Sequence, residues 1–182
     1  MTPTSRRDQA FEDLVQSVCD PLFRTTLLLC GDWQYAEDLV QMALVKLYVR
    51  GHWRQLDHPL AYLRRIVVNE FINLRRRRSA YELPVEDVLE HTYGGWKEPD
   101  PEARIDLFRA LARLPVTDRA VVVLRYWDDL SVNETAALVG LSPGAVRVRS
   151  VRALARLRQS LTNLPSASTT QENDHEPQPA NH

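Results

Sequence analysis

The side chains in this sequence that could do chemistry are guanidinium groups, amides and aromatic rings, set at helical spacing in two separate places. Toward the C-terminal end, Arg147, Arg149, Arg152, Arg156 and Arg158 follow one another at intervals of two to four residues. A guanidinium presents a planar fork of donors that fits phosphate oxygens and the guanine edge in a way a lysine ammonium does not. In the first half, Tyr62, Arg65, Asn69, Asn73 and Arg76 recur three or four apart and so share one face of a helix. Trp53 and Arg54 stand in the loop just before it. Rings beside cations and amides suit unstacked bases, because every base has a π-face to stack and an edge to read. Each feature has a plainer reading. Trp53 is equally suited to a core, and an arginine face can be the solvated side of an ordinary bundle helix.

Covalent chemistry has little to work with. There is no nucleophile–base pairing and no phosphate-cradling glycine loop. His52 and His58 lie near each other without a Cys or carboxylate cluster at ligand spacing. The expectation is a binding protein, not an enzyme, with no cofactor and no metal.

These residues need helices to position them, and the sequence reads as all-α: four helical stretches, a break, then three or four more. Phe11, Leu14, Val15, Val18, Leu22 and Leu29 recur at helical spacing, with Pro21 a potential kink. Gly31-Asp32 closes that segment and opens the next, Asp32 serving as N-cap. From Ala36 to Arg50 an amphipathic helix turns Ala36, Leu39, Ala43 and Leu47 inward. Its outer face holds Asp38, Gln41, Met42, Val45 and Tyr48, with Lys46 at the edge. That face is too apolar for water alone and reads as a protein-binding surface, or as one packed on the other half of the chain. Asp57-His58-Pro59 starts a helix reaching about Arg78, with Leu60, Leu63, Val67, Phe71 and Leu74 on its buried stripe.

Near the other end, Ser131 to Glu134 forms a capping box, Gly140 a tight turn, and Ser142-Pro143 a second helix start. A short helix, a glycine turn and a longer helix to about Leu161 make a helix-turn-helix. Val146, Leu154, Leu157 and Leu161, joined by Ser150, are the expected packing stripe of the second helix, with Arg149, Arg152 and Arg156 on the far side. Two small helical domains are therefore expected: an N-terminal bundle over 8–79 and a helix-turn-helix domain over 102–164. A flexible acidic linker over 80–101 joins them, and a disordered tail over 165–182 follows.

Composition adds bounds rather than answers. The chain has 182 residues, 44% apolar and 26% charged, with 23 Lys+Arg against 24 Asp+Glu. Net charge is thus −1 and excludes no partner, and the preference for Arg over Lys also follows from a GC-rich genome. Cys19 and Cys30 would lie roughly 16 Å apart on one helix, beyond the roughly 7 Å a disulfide spans. Reduced thiols, no apolar signal core and no run near ~20 apolar residues suggest a soluble, cytoplasmic protein with no membrane segment.

Taken in order, Gly31-Asp32, Ala36-Glu37-Asp38-Leu39-Val40-Gln41, Tyr62-Leu63-Arg64-Arg65-Ile66, Asn69 with the arginine block Arg75–Arg78, and Leu141-Ser142-Pro143-Gly144-Ala145-Val146-Arg147 resemble the extracytoplasmic-function sigma factors. The similarity runs from about Phe11 to Leu161 and is greatest to the small actinobacterial SigE-like members. The resemblance implies a transcription initiation factor whose partners are core RNA polymerase (β′ and β subunits) and promoter DNA, with an anti-sigma factor as a further candidate. It places the polymerase contact at Asp38, Gln41, Met42 and Val45. It assigns Trp53, Arg54, Tyr62, Arg65, Asn69, Asn73 and Arg76 to the melted −10 element. Ser142, Gly144, Arg147, Arg149, Arg152 and Arg156 fall to the −35 element, and the acidic linker to the path toward the polymerase active site. This chain departs from the family pattern at Met42, Asn73, Val148 and Val151, which bears on promoter sequence rather than class. A plain helix-turn-helix regulator acting without polymerase is the competing reading, and it leaves the N-terminal bundle unexplained.

Overall fold

The computed structural model describes residues 6–51, 53–77 and 101–162; the side chains of 74–77, 101 and 102 fall outside that description. Seven α-helices and no strand occur among these residues. They are α1 (Arg6–Cys30), α2 (Trp33–Arg50), α3 (Pro59–Arg77), α4 (Pro101–Ala112), α5 (Val116–Val122), α6 (Val132–Val139) and α7 (Pro143–Thr162). A 3₁₀ turn, Trp53–Gln55, leads into α3, and a π turn, Val123–Trp127, extends α5. The expected linker, arginine block side chains and tail lie outside the described residues.

The first half is a three-helix bundle rather than four helical stretches, because α1 runs unbroken for 25 residues with Pro21 inside it. Cys19 and Cys30 therefore sit on one helix and are not joined to each other. The Tyr35 N–H donates to the Asp32 carboxylate at 2.7 Å, which caps α2 as the local sequence required. Leu22, Leu29, Ala36, Ala43, Leu47, Leu63, Val67 and Phe71 fill the space between the three helices and are fully or almost fully buried.

The second half is built on its caps. At the start of α6, Ser131 Oγ accepts from the Glu134 N–H (3.2 Å) while the Glu134 carboxylate accepts from the Ser131 N–H (2.8 Å). Gly140 ends α6 at φ 70°, a left-handed conformation that lets its N–H reach the Ala136 carbonyl at 3.0 Å and reverses the chain into α7. Ser142 Oγ accepts from the Ala145 N–H at 3.2 Å and caps α7.

The packing stripe of α7 differs from the expected one. Val146, Ser150, Ala153 and Leu157 are buried, whereas Leu154 is half-buried and Leu161 is 39% exposed. The helix is rotated toward its small residues because α5 crosses it closely, and Ala153 with Ser150 lets the backbones approach.

The two halves share a continuous core. The Thr25 hydroxyl donates to Asp128 at 2.7 Å, and Arg64 pairs with the same carboxylate at 2.9 Å. Arg119, buried, donates to the carbonyls of Leu29 (2.9 Å) and Ala112 (2.8 Å), with its guanidinium 5.9 Å from the Phe71 ring centre. Burial pushes the Asp128 carboxyl above its ordinary range, outweighing the opposite pull of Thr25 and Arg64. The ion pair thus gives back much of what it gains, as buried pairs commonly do.

Ser131→Ala is expected to lower stability by about 1 kcal/mol, read from thermal unfolding. Its bonds to Ser131 hold the Glu134 carboxyl below the usual carboxylate range. The folded value being the lower one, the contribution of Glu134 is present above the ordinary carboxylate range and fades as pH falls through the lowered value. Arg64→Ala should cost about 3 kcal/mol by stranding Asp128, whereas Arg64→Met with Asp128→Leu should cost far less in the same denaturant titration.

Candidate nucleic-acid interface

The outward face of α3 is the first candidate surface. Arg65, Asn69 and Asn73 are exposed, and Tyr62 is half-buried with its hydroxyl accepting from Arg50 and its ring beneath that guanidinium, 5.9 Å to the centre. Between α2 and α3 lies an open groove of about 700 Å³, lined by Val45, Val49, Arg50, Tyr62, Arg65 and Asn69 among others. One apolar wall, one aromatic edge and a rim of guanidinium and amide groups are what a planar, edge-polar ligand such as a base requires. Lys46 and Glu70 pair at 2.6 Å across the groove mouth.

Trp53 stands apart from this surface. It is 5% exposed, with its ring centre 5.2 Å from that of Phe11 in an edge-to-face contact. Of the two readings its sequence allowed, the core reading holds, and its ring is not available for stacking. Arg54 lies exposed over it, 5.2 Å from the ring centre. Arg76 belongs to α3, but its side chain lies outside the described residues.

On α2, Asp38, Gln41 and Val45 are exposed and Met42 is half-buried. Gln34 donates to Asp38 at 3.3 Å. Tyr48 is tied back to α1, donating to Asp8 at 2.9 Å and meeting Phe11 edge-on. The face is thus open at its first three turns, and Val45 belongs both to it and to the groove.

The arginines of α7 divide into two groups. Asp118 of α5, buried, accepts from Arg149 at 2.6 Å and from Arg156 at 3.2 Å. Arg147 and Arg152 are exposed and have no protein partner in the described hydrogen bonds and ion pairs. At about 100° per residue, Arg152 points roughly 130° from the centre of the buried stripe, while Arg149 and Arg156 point only roughly 70–90° away. Arg149, Arg152 and Arg156 line one depression as a set, but Arg149 and Arg156 are not purely outward: they flank the packed side, and their guanidinium groups help hold α7 to α5. Their tips remain partly exposed beside Gly144, Val148 and Arg152, around that shallow depression. Sequence reasoning missed Asp118, because nothing local distinguishes it from any other first-turn acid of a helix.

Residues 14–81 match the family model for Sigma-70 region 2, and residues 104–157 match that for Sigma-70, region 4. The RNA polymerase sigma-E factor of Streptomyces coelicolor is 37% identical over 154 residues, covering 83% of this chain and 85% of that protein. The chain belongs to the extracytoplasmic-function sigma factors. A second relative, the sigma factor SigM of Mycobacterium tuberculosis, is 33% identical over 154 residues, covering 84% of this chain and 77% of its own. Among solved structures, the sigma factor RpoE bound to the anti-sigma factor NepR from Bartonella quintana superposes with a TM-score of 0.65 over 85% of this chain and 98% of that one. At 24% identity it speaks to the fold alone. CnrH in complex with the cytosolic domain of CnrY gives a TM-score of 0.57 at 27% identity, covering 85% and 88%. No helix of this sigma factor among the described residues is long and apolar enough to cross a membrane, and no described cluster of His, Cys, Asp or Glu could hold a metal.

The division of the arginines gives separable expectations. Arg149→Ala should lower stability by about 1 kcal/mol, the discount reflecting its exposed tip, and also weaken DNA binding. Arg152→Ala should leave the unfolding midpoint in place and reduce the salt dependence of DNA binding by about one phosphate's worth of slope. Equal effects of the two on stability would contradict the division.

Proposed function

We propose that this sigma factor docks core RNA polymerase through the open face of α2, at Asp38, Gln41, Met42 and Val45, and reads two promoter elements with surfaces that the two halves of the chain carry separately. The N-terminal domain, over 8–79, takes the −10 element, and the helix-turn-helix domain, over 102–164, the −35 element. The observation that supports this most is the groove in which Val45 and Val49 of α2 meet Tyr62, Arg65 and Asn69 of α3. A non-template base leaving the duplex loses stacking worth a few kcal/mol, and stacking on Tyr62 restores about 1–3 kcal/mol of it. Arg65, Asn69 and Asn73 supply hydrogen bonds to edges and phosphates. Because the same groove adjoins the polymerase face, capture of a base and docking of polymerase occur on one rigid pair of helices. Arg147 and Arg152, with Ser142 and Gly144 at the helix start, bring α7 onto the −35 backbone and major groove. CnrH, 27% identical to this chain, was solved in complex with the cytosolic domain of CnrY, which supports a regulatory protein partner, of the anti-sigma kind, here as well.

Run-off transcription with purified core polymerase on pooled promoters from the source genome tests the whole reading. Asp38→Ala with Gln41→Ala should abolish protein-dependent transcripts by preventing docking. Arg65→Ala with Asn69→Ala should leave polymerase binding intact and reduce permanganate-reactive thymines at −10 roughly tenfold, the value of about 1.4 kcal/mol. A chain that yields no transcript yet binds duplex DNA tightly and specifically alone would instead be a plain regulator.

A further inference from the structure

Among the residues of α7 that point away from the protein, two are branched and apolar. Val148 is 51% exposed and Val151 70% exposed, and both lie roughly 130–170° from the buried stripe at about 100° per residue. They sit in the first three turns after the glycine turn, beside exposed Gly144 and Ala155, with Arg147 and Arg152 on either side. Neither belongs to the buried core or to the hydrophobics packed against it, so packing does not account for two branched apolar side chains on this solvated face. Isoleucine and valine are also poorer helix formers than the charged residues that ordinarily occupy such places.

We infer that Val148 and Val151 are specificity-determining residues that read the 5-methyl groups of thymine in the −35 element. The inference rests on the proposed role of α7 as the helix entering the major groove. In that groove thymine alone among the four standard bases offers a methyl group, and an apolar side chain is what recognises it. A valine in a helix is held in essentially one rotamer, so its methyls are presented at little entropic cost. Arg147 and Arg152 flank the pair and supply the charge that holds the helix against phosphates. Arg149 and Arg156, drawn aside by Asp118, leave the centre of the face to the valines. Gly144, with nothing within 4 Å of where a Cβ would stand, keeps the start of the helix low enough for close approach to the duplex.

The test uses the full chain with core polymerase on a promoter it transcribes. Each thymine of the −35 segment, on either strand, is replaced singly by deoxyuridine, which removes only the methyl. Holoenzyme binding should weaken about fourfold at one or two of these positions, the worth of one buried methyl. In Val148→Ala or Val151→Ala that thymine–uracil difference should vanish at the matching position, while the salt dependence stays unchanged. Both substitutions replace exposed residues by a better helix former, so folding is preserved. A −35 element without thymine, uracil tolerated everywhere by the parent protein, or a uracil penalty that persists in both variants would overturn the inference. So would variants impaired equally on thymine and uracil templates, which would make the face a protein contact. Failure of any promoter to be transcribed would instead refute the sigma reading itself, a separate outcome.

Discussion

Arg119 is the side chain on which the arrangement of the whole chain turns. A helix ends with carbonyls that have no partner within it, and burying such an end without a donor costs more than most packing contacts return. The guanidinium of Arg119 answers two such ends together, the Leu29 carbonyl in the last turn of α1 and the Ala112 carbonyl at the close of α4, and it lies over Phe71 of α3. One buried cation thus joins elements of both halves at a point where each would otherwise present an unsatisfied backbone group. The apolar core continues around it from Leu29 and Phe71 to Phe108 and Val121.

The second contact between the halves is of a different kind. Asp128 follows the π turn, where the helix widens by a residue before the chain leaves it, and there it meets Thr25 and Arg64. Desolvation of the carboxylate offsets a large part of the pairing. Orientation is specified strongly while net stability is gained weakly, which suits a joint that fixes how the two halves meet. Arg64 is spent on this joint, one position before Arg65 on the open face of α3, and the helical step of about 100° per residue is what lets neighbours serve two purposes.

A similar division operates within the helix-turn-helix. Asp118 binds two of the arginines of α7 to α5 and so trades some of their reach for a fixed helix orientation. The exposed Arg147 and Arg152 keep their charge at the surface, and Val148 and Val151 between them leave part of that face apolar. Fixing the helix matters because base reading depends on side chains held to within a fraction of an ångström. The N-terminal groove shows the same economy: Tyr62 is steadied by Arg50 before any ligand arrives.

Residue order alone determined whatever is decided within a turn or two of helix. The caps at Asp32, Ser131 and Ser142, the reversal at Gly140, the inward faces of α2 and α3 and the all-α class were all legible, because each rests on neighbours three or four residues apart. Family membership was legible for the same reason, being carried by short motifs in sequence order. Only the tertiary structure decided which members of a face are free. Trp53 met Phe11, forty-two positions away, and left the candidate DNA surface for the core. Arg149 and Arg156 met Asp118, and α7 turned toward its small residues because α5 came close. Charge and hydrophobicity are written in the sequence; which partner satisfies them is settled by whatever the fold brings within about 3 Å.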